Sequence, residues 1–182
     1  MPVAFMPKLA LVERQTEDKV DYKRWAETGH LIVPPGNSID FDWVAQWMIK
    51  TVEDYDLNIV TGGFDPWKRP HLYKALDEAG ADMMFSEVED YRQGYISMSP
   101  AIDAAEQAIY EDKLWHGNSP ILTWCISNVV ITYDAANNRK ADKSKSYSKI
   151  DLAIALIMAV MQLGVHGESS YLDSDEEEVL FI

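Results

Sequence analysis

The sequence predicts an α/β fold, a mixed or parallel sheet flanked by helices. Three observations predict it. Short apolar runs (HLIV at 30–33, LNIVTGGF at 57–64, ADMMFSEV at 81–88, TWCISNVVITY at 123–133) alternate with segments of helical periodicity. Proline and glycine mark the changeovers, as at Pro34-Pro35-Gly36 and Gly80. Strand–helix alternation places helices on the faces of a sheet, and the functional crevice of such a sheet lies at the carboxyl ends of its parallel strands.

Taken in order, VAFM and LALVE near the N-terminus have strand character, and a short helix spans Tyr22–Thr28 with Gly29 as its stop. After the HLIV strand, Ser38 or Asp40 caps a helix whose apolar face is Phe41, Val44, Trp47, Met48, Val52 and Tyr55. The strand 57–64 follows. Pro70 suits the first turn of a helix running to Ala79. After a strand over 81–88, Ser99 as cap and Pro100 at the first helical position open a helix to Asp112. A strand over 123–133 leads into a polar, basic loop. The last helix, Ser148–Leu163, is apolar nearly all round and is expected to be buried on most sides. We expect one domain over 1–165 and a flexible acidic tail over 166–182.

Composition narrows the function. The longest apolar run, 152–161, is about half of what a bilayer span requires, and the N-terminus lacks the pattern of a signal peptide. The single cysteine, Cys125, permits no intrachain disulfide. A cytoplasmic chain with no membrane role is the expectation. The net charge of −14 argues against a nucleic-acid partner when taken alone, but it conceals a pattern. DSDEEE at 173–178 concentrates acids, whereas RKADKSKSYSK at 139–149 holds Arg139, Lys140, Lys143, Lys145 and Lys149 against one acid. A solvated surface is the plain reading of either run.

Two carboxylates carry chemical interest. Asp65 ends the 57–64 strand against Pro66, where Asp-Pro is also ordinary turn chemistry. Asp151 lies in the first turn of the most apolar helix, where a carboxylate also suits the helix dipole. If both reach one rim of the sheet, they would hold Mg²⁺ or Mn²⁺ through oxygen ligands. A metal pair held this way activates water and stabilises the leaving oxygen in phosphodiester hydrolysis. The carboxylates should then lie about 4–8 Å apart, with the basic run beside them to hold phosphates. The four histidines show no metal-ligand spacing, Cys125 reads as a buried apolar side chain in a strand, and TGG at 61–63 is no nucleotide-binding motif.

Four stretches, DYKRWAETGHLIVPPGNSIDFDWV, FDPW, LWHGNSPILTWCISNVVITYDAANNRKADKSKS and SKIDLAIALIMAV, resemble in order and spacing the C-terminal nuclease domain of the large terminase subunit of tailed bacteriophages. The resemblance covers residues 5 to about 163. It implies a ribonuclease-H-like fold, a two-metal site at Asp65 and Asp151, and cutting of concatemeric double-stranded DNA during genome packaging in the host cytoplasm. It also implies that the loop 134–146 approaches DNA, with Lys143 and Lys145 as contacts, and that an ATPase part and other terminase or portal proteins are partners. The sequence departs from the family pattern in two ways. No Walker motif is present, and no opening strand with a further aspartate precedes Val3. The first strand of the sheet and one metal carboxylate are therefore expected to be missing, and nuclease activity of the chain alone to be weak or absent. A second reading is a catalytically silent packaging-motor module that binds DNA or partner proteins, with the tail DSDEEEVLFI as a docking peptide.

Overall fold

The structure, a computed structural model, describes residues 2–170 and 180–181. Its elements are β1 (Ala4–Phe5), α1 (Leu11–Asp18), α2 (Tyr22–Glu27), β2 (Leu31–Ile32), α3 (Phe41–Asp54), β3 (Gly62–Phe64), α4 (Arg69–Glu78), a 3₁₀ turn (Asp82–Phe85), β4 (Val88–Asp90), α5 (Tyr95–Tyr110), β5 (Leu114–Trp115), α6 (Pro120–Ser127), β6 (Ile131–Tyr133), β7 (Arg139–Ala141), α7 (Asp151–Ser170) and β8 (Leu180–Phe181). The α/β class holds, but the single sheet does not. Among the described residues the strands form four separate pairs: β1–β2, β3–β4 and β5–β8 are parallel, and β6–β7 is antiparallel. Strands of two or three residues close too few ladder bonds to extend a common sheet, so helix packing sets their arrangement.

Local chemistry explains which expectations hold. Asp40, not Ser38, caps α3, its carboxylate accepting from the Asp42 amide at 3.0 Å. The apolar face of α3 packs on α4, but Tyr55 lies past the helix end and is exposed. Gly80 stops α4 with φ of +69°, a conformation costly for any residue with a Cβ.

Several segments depart from expectation. LALVE is not a strand: Leu11 begins α1. The 57–64 strand is confined to Gly62–Phe64, and 81–88 splits into the 3₁₀ turn and the start of β4. Helix α5 starts at Tyr95, leaving Pro100 inside it on the exposed side, where the carbonyl lacking a donor is open to water. The serine–proline start signal operates twenty residues later. Ser119, fully buried, accepts from the Leu122 amide, and Pro120 is the first residue of α6. The first half of the expected 123–133 strand is therefore helix. The domain boundary expected at 165 falls inside α7, and most of the expected acidic tail, residues 171–179, lies outside the described residues.

Three apolar clusters make the core. The largest joins α5, α6, α7 and β7 through Met98, Ala101, Ile102, Leu122, Ala141, Ile154 and Ile157. A second lies between α3, α4 and the 3₁₀ turn. The third, around Tyr22, Leu31 and Ile121, holds the edge-on contact of Tyr22 with Trp124 at 5.9 Å, and Leu152 borders both it and the first. Leu122 has no exposed surface, whereas Ile96 is 81% exposed. Leu122→Ala should cost about 2–5 kcal/mol and Ile96→Ala less than about 0.5 kcal/mol, measured by urea unfolding.

Candidate functional site

Strands β3 and β4 run parallel, with Phe64 opposite Asp90, and the Tyr91 amide extends the ladder to the Phe64 carbonyl at 2.8 Å. Asp65 therefore leaves the carboxyl edge of a parallel pair. The glycines before it serve close packing: a Cβ at Gly63 would meet the Tyr91 Cβ at 3.1 Å, and one at Gly62 would meet a Val88 methyl at 3.0 Å. This is the role of the TGG stretch.

Asp65 is partly buried and builds a turn. Its Oδ1 accepts from the Trp67 amide at 2.9 Å, and its carbonyl accepts from the amides of Lys68 and Arg69, both at 3.1 Å. The turn reading of Asp65 is thus realised, but it accounts for only one carboxylate oxygen. Oδ2 accepts from Gln93 Nε2 at 3.2 Å, and the same amide nitrogen lies 3.8 Å from the Met158 sulfur on α7. Gln93, in the connection between β4 and α5, is a site residue that sequence reasoning missed. An isolated polar residue in a connecting segment carries no periodic or motif signal.

Thr61 Oγ1 donates to the buried Gln162 Oε1 at 3.3 Å, while Asp65 is joined through Gln93 to Met158, one turn earlier on α7. Strand β3 thus advances toward the start of α7. Residues 151, 158 and 162 share one face of the helix. An extended chain gains about 13 Å from Thr61 to Asp65, and α7 covers about 16 Å from Gln162 back to Asp151. Asp65 approaches α7 on the face that carries Asp151, travelling in the direction of Asp151.

Asp151 is the first residue of α7 and is exposed. Its Oδ1 accepts from Lys143 Nζ at 2.7 Å. Beneath it lies Cys125, which is in α6 rather than in the expected strand but is buried as expected. The backbone N–H groups of Leu152 and Ala153 point at its sulfur, while burial foremost, with the Asp151 charge adding, pushes the thiol up to about 11.

The basic segment is more ordered than a loop reading suggests. Arg139, Lys140 and Ala141 form β7, paired with β6 across a turn in which Asp134 Oδ1 accepts from the amides of Ala136 and Asn138 and Asn137 takes a left-handed conformation. Arg139 is bound within the fold, to both carboxylate oxygens of Glu106 (3.0 and 2.8 Å) and to Asp103. Glu106 foremost raises its guanidinium further above the ordinary value. Arg139, expected among the phosphate-binding cations, ties the hairpin to α5 through these carboxylates. The Lys140 ammonium lies 5.3 Å from the centre of the Tyr95 ring. Lys143, Lys145 and Lys149 are exposed, and of these Lys143 reaches Asp151. Among the described residues no group of three or more His, Cys, Asp or Glu side chains is placed to hold a metal ion, and no helix is long and apolar enough to cross a membrane.

Residues 2–167 match the family model of the terminase large subunit, endonuclease domain. The chain belongs to that family. It is 33% identical over 180 residues to the terminase large subunit of Enterobacteria phage HK97, covering 99% of this chain and 34% of that protein. It is 29% identical over 157 residues to protein YmfN of Escherichia coli K12, covering 81% of this chain and 31% of that protein. The fold matches the crystal structure of the HK97 bacteriophage large terminase with a TM-score of 0.78 and 34% identity, over 86% of this chain and 32% of that one. The chain thus spans about a third of the length of the curated relatives it matches.

The buried thiol sets a pH dependence for this endonuclease domain. Its ordinary value of 9.0 is raised in the fold, so the stability it contributes is complete below pH 9 and lost as pH rises to about 11. Urea unfolding across pH 8–11 should show a decline that is shallower in Cys125→Ala, the buried Tyr22 and Tyr91 hydroxyls, also raised by burial, contributing the part that remains above pH 10.

Proposed function

We propose that this chain is the DNA-cutting domain of a packaging motor, acting on concatemeric double-stranded DNA in the host cytoplasm, with Asp65 and Asp151 as carboxylate ligands for Mg²⁺ or Mn²⁺. One observation carries the proposal. Asp65 stands at the carboxyl edge of β3 and is hydrogen-bonded through Gln93 to the face of α7 that begins with Asp151. Family membership supports it, and a ribonuclease-H-like arrangement is the reading of the fold that agrees with it.

The residues suit a hard cation. Two carboxylates with the rest of the shell left to water and phosphate oxygens is an ordinary Mg²⁺ arrangement. Divalent metal held there would supply water activation and stabilisation of the leaving oxygen. The protein's own part is positioning. Gln93 and the Trp67 amide fix the Asp65 carboxylate, Lys143 stands beside Asp151, and Lys140, Lys145 and Lys149 continue the positive segment toward a phosphate backbone. Arg139 serves by holding β7 to α5. The ATPase part of a terminase and other packaging proteins are the partners this reading assigns.

A second reading is a silent DNA-binding module, in keeping with no group of three or more His, Cys, Asp or Glu side chains being placed to hold a metal ion among the described residues. One experiment separates them: plasmid cleavage with Mn²⁺ by the chain and its variants. Asp65→Ala and Asp151→Ala should each lower cutting by more than about a hundredfold, and Gln93→Leu by about ten- to a hundredfold, as expected for an outer partner of a metal ligand. Cutting that survives in either aspartate variant would sink the site. DNA binding with no cutting at all would select the silent module.

A further inference from the structure

We propose that Lys143 is a resident counter-cation on Asp151, displaced when divalent metal binds and passed to a phosphate of the nucleic acid, so that metal and DNA binding reinforce each other. The inference rests on the reading of Asp151 as a metal ligand.

The cations of the basic segment are in different states. Arg139 is fixed by Glu106 and Asp103, and Lys140 rests over Tyr95. Lys145 and Lys149 make no ion pair among the described residues. Lys143 alone of the five bonds a candidate ligand, at 2.7 Å from Asp151 Oδ1. An ammonium at that distance neutralises the carboxylate and occupies one of the oxygens a metal would use.

The pair is built to exchange. Both side chains are more than half exposed (55% for Lys143 and 69% for Asp151), so water screens the attraction and the ammonium leaves without a burial penalty. The backbone that carries Lys143 is held in place. Asp142 Oδ1 accepts from the Ser144 amide and hydroxyl at 2.9 and 2.7 Å, and the Asp142 carbonyl accepts from the amides of Lys145 and Ser146. Were a divalent cation held at Asp151, the Lys143 ammonium would be repelled and would swing on its flexible stem from a fixed root. A phosphate brought up to the metal would then be an anion for it to meet. Linkage makes the coupling reciprocal: whatever frees Lys143 for DNA also clears Asp151 for metal.

Two measurements on the full chain test this, neither reading cleavage. In Mn²⁺ titration calorimetry without DNA, Lys143→Ala should tighten binding about two- to fivefold, the range of an exposed ion pair, while Lys145→Ala leaves it unchanged. In EDTA, DNA binding is measured across a salt series. Lys143→Ala should reduce affinity in both backgrounds, with the larger loss, and a salt slope flattened by about one, in the Asp151→Asn background, where the lysine is free. Unchanged Mn²⁺ affinity in Lys143→Ala, with binding still dependent on Asp151, overturns this inference alone. Absence of Asp151-dependent Mn²⁺ binding overturns the metal-site reading together with it. Equal effects of Lys143→Ala on DNA binding in both backgrounds show a lysine that was never tied up and also overturn the inference.

Discussion

Helix α7 has no polar face to offer water between its first residue and Gln162. Ala153, Ile154, Leu156, Ile157, Met158 and Val160 are all buried, and they point to several sides of the helix. Such a helix is stable only when surrounded. Helix α5 packs along it, α6 packs against its first half, and β3 lies against the stretch toward Gln162. The short strand pairs are arranged about this axis rather than joined to one another. With strands of two or three residues, the apolar clusters are built mainly from helix residues, and the pairs contribute local direction.

The same constraint concentrates polarity. Between residues 151 and 164 of α7 the charged or amide side chains are Asp151 at its start and Gln162 further along, and each is joined to another part of the fold. Gln162 fixes where β3 begins its run past the helix. Gln93 then fixes where the carboxylate at the end of that run comes to rest. The position of Asp65 is thus governed by a side-chain amide from a third segment as much as by the strand that carries it. Cys125 has a similar supporting role, filling the space under the first turn of α7. The surroundings of Asp65 and Asp151 are thus built from α6, α7 and the β4–α5 connection together.

Much of this was legible in the sequence, and the failures are instructive. Asp65 and Asp151 stand out because a carboxylate at the edge of an apolar run is visible without a structure. Helices α3 and α4 follow from periodicity and their stops. The first half of the strand expected over 123–133 is helix because TWCIS is equally apolar as helix or strand, and packing of α6 on α7 decides for helix. Serine followed by proline occurs twice, and only the second instance opens a helix, because Gly94 had already begun α5 before the first. The expected sheet required strands longer than the fold contains. Gln93, the partner of Asp65, lies 28 residues from it and contacts Met158, 65 residues further on. Contacts of that range leave no local trace.

The segment between β7 and α7 is stitched to the fold at several points. The Asp142 amide donates to the Val130 carbonyl, Ser146 Oγ accepts from the Val130 amide, the Tyr147 amide donates to the Asn128 carbonyl, Asn128 Nδ2 donates to the Lys149 carbonyl, and Ser148 Oγ donates to Asp18. Its conformational entropy is therefore surrendered during folding and not during association. A polyanion meeting Lys145 and Lys149 finds charges rooted at set intervals, with only the side-chain stems left to settle. Encounter with such a partner would require no waiting for a competent backbone, and its rate would follow diffusion and ionic strength rather than rearrangement.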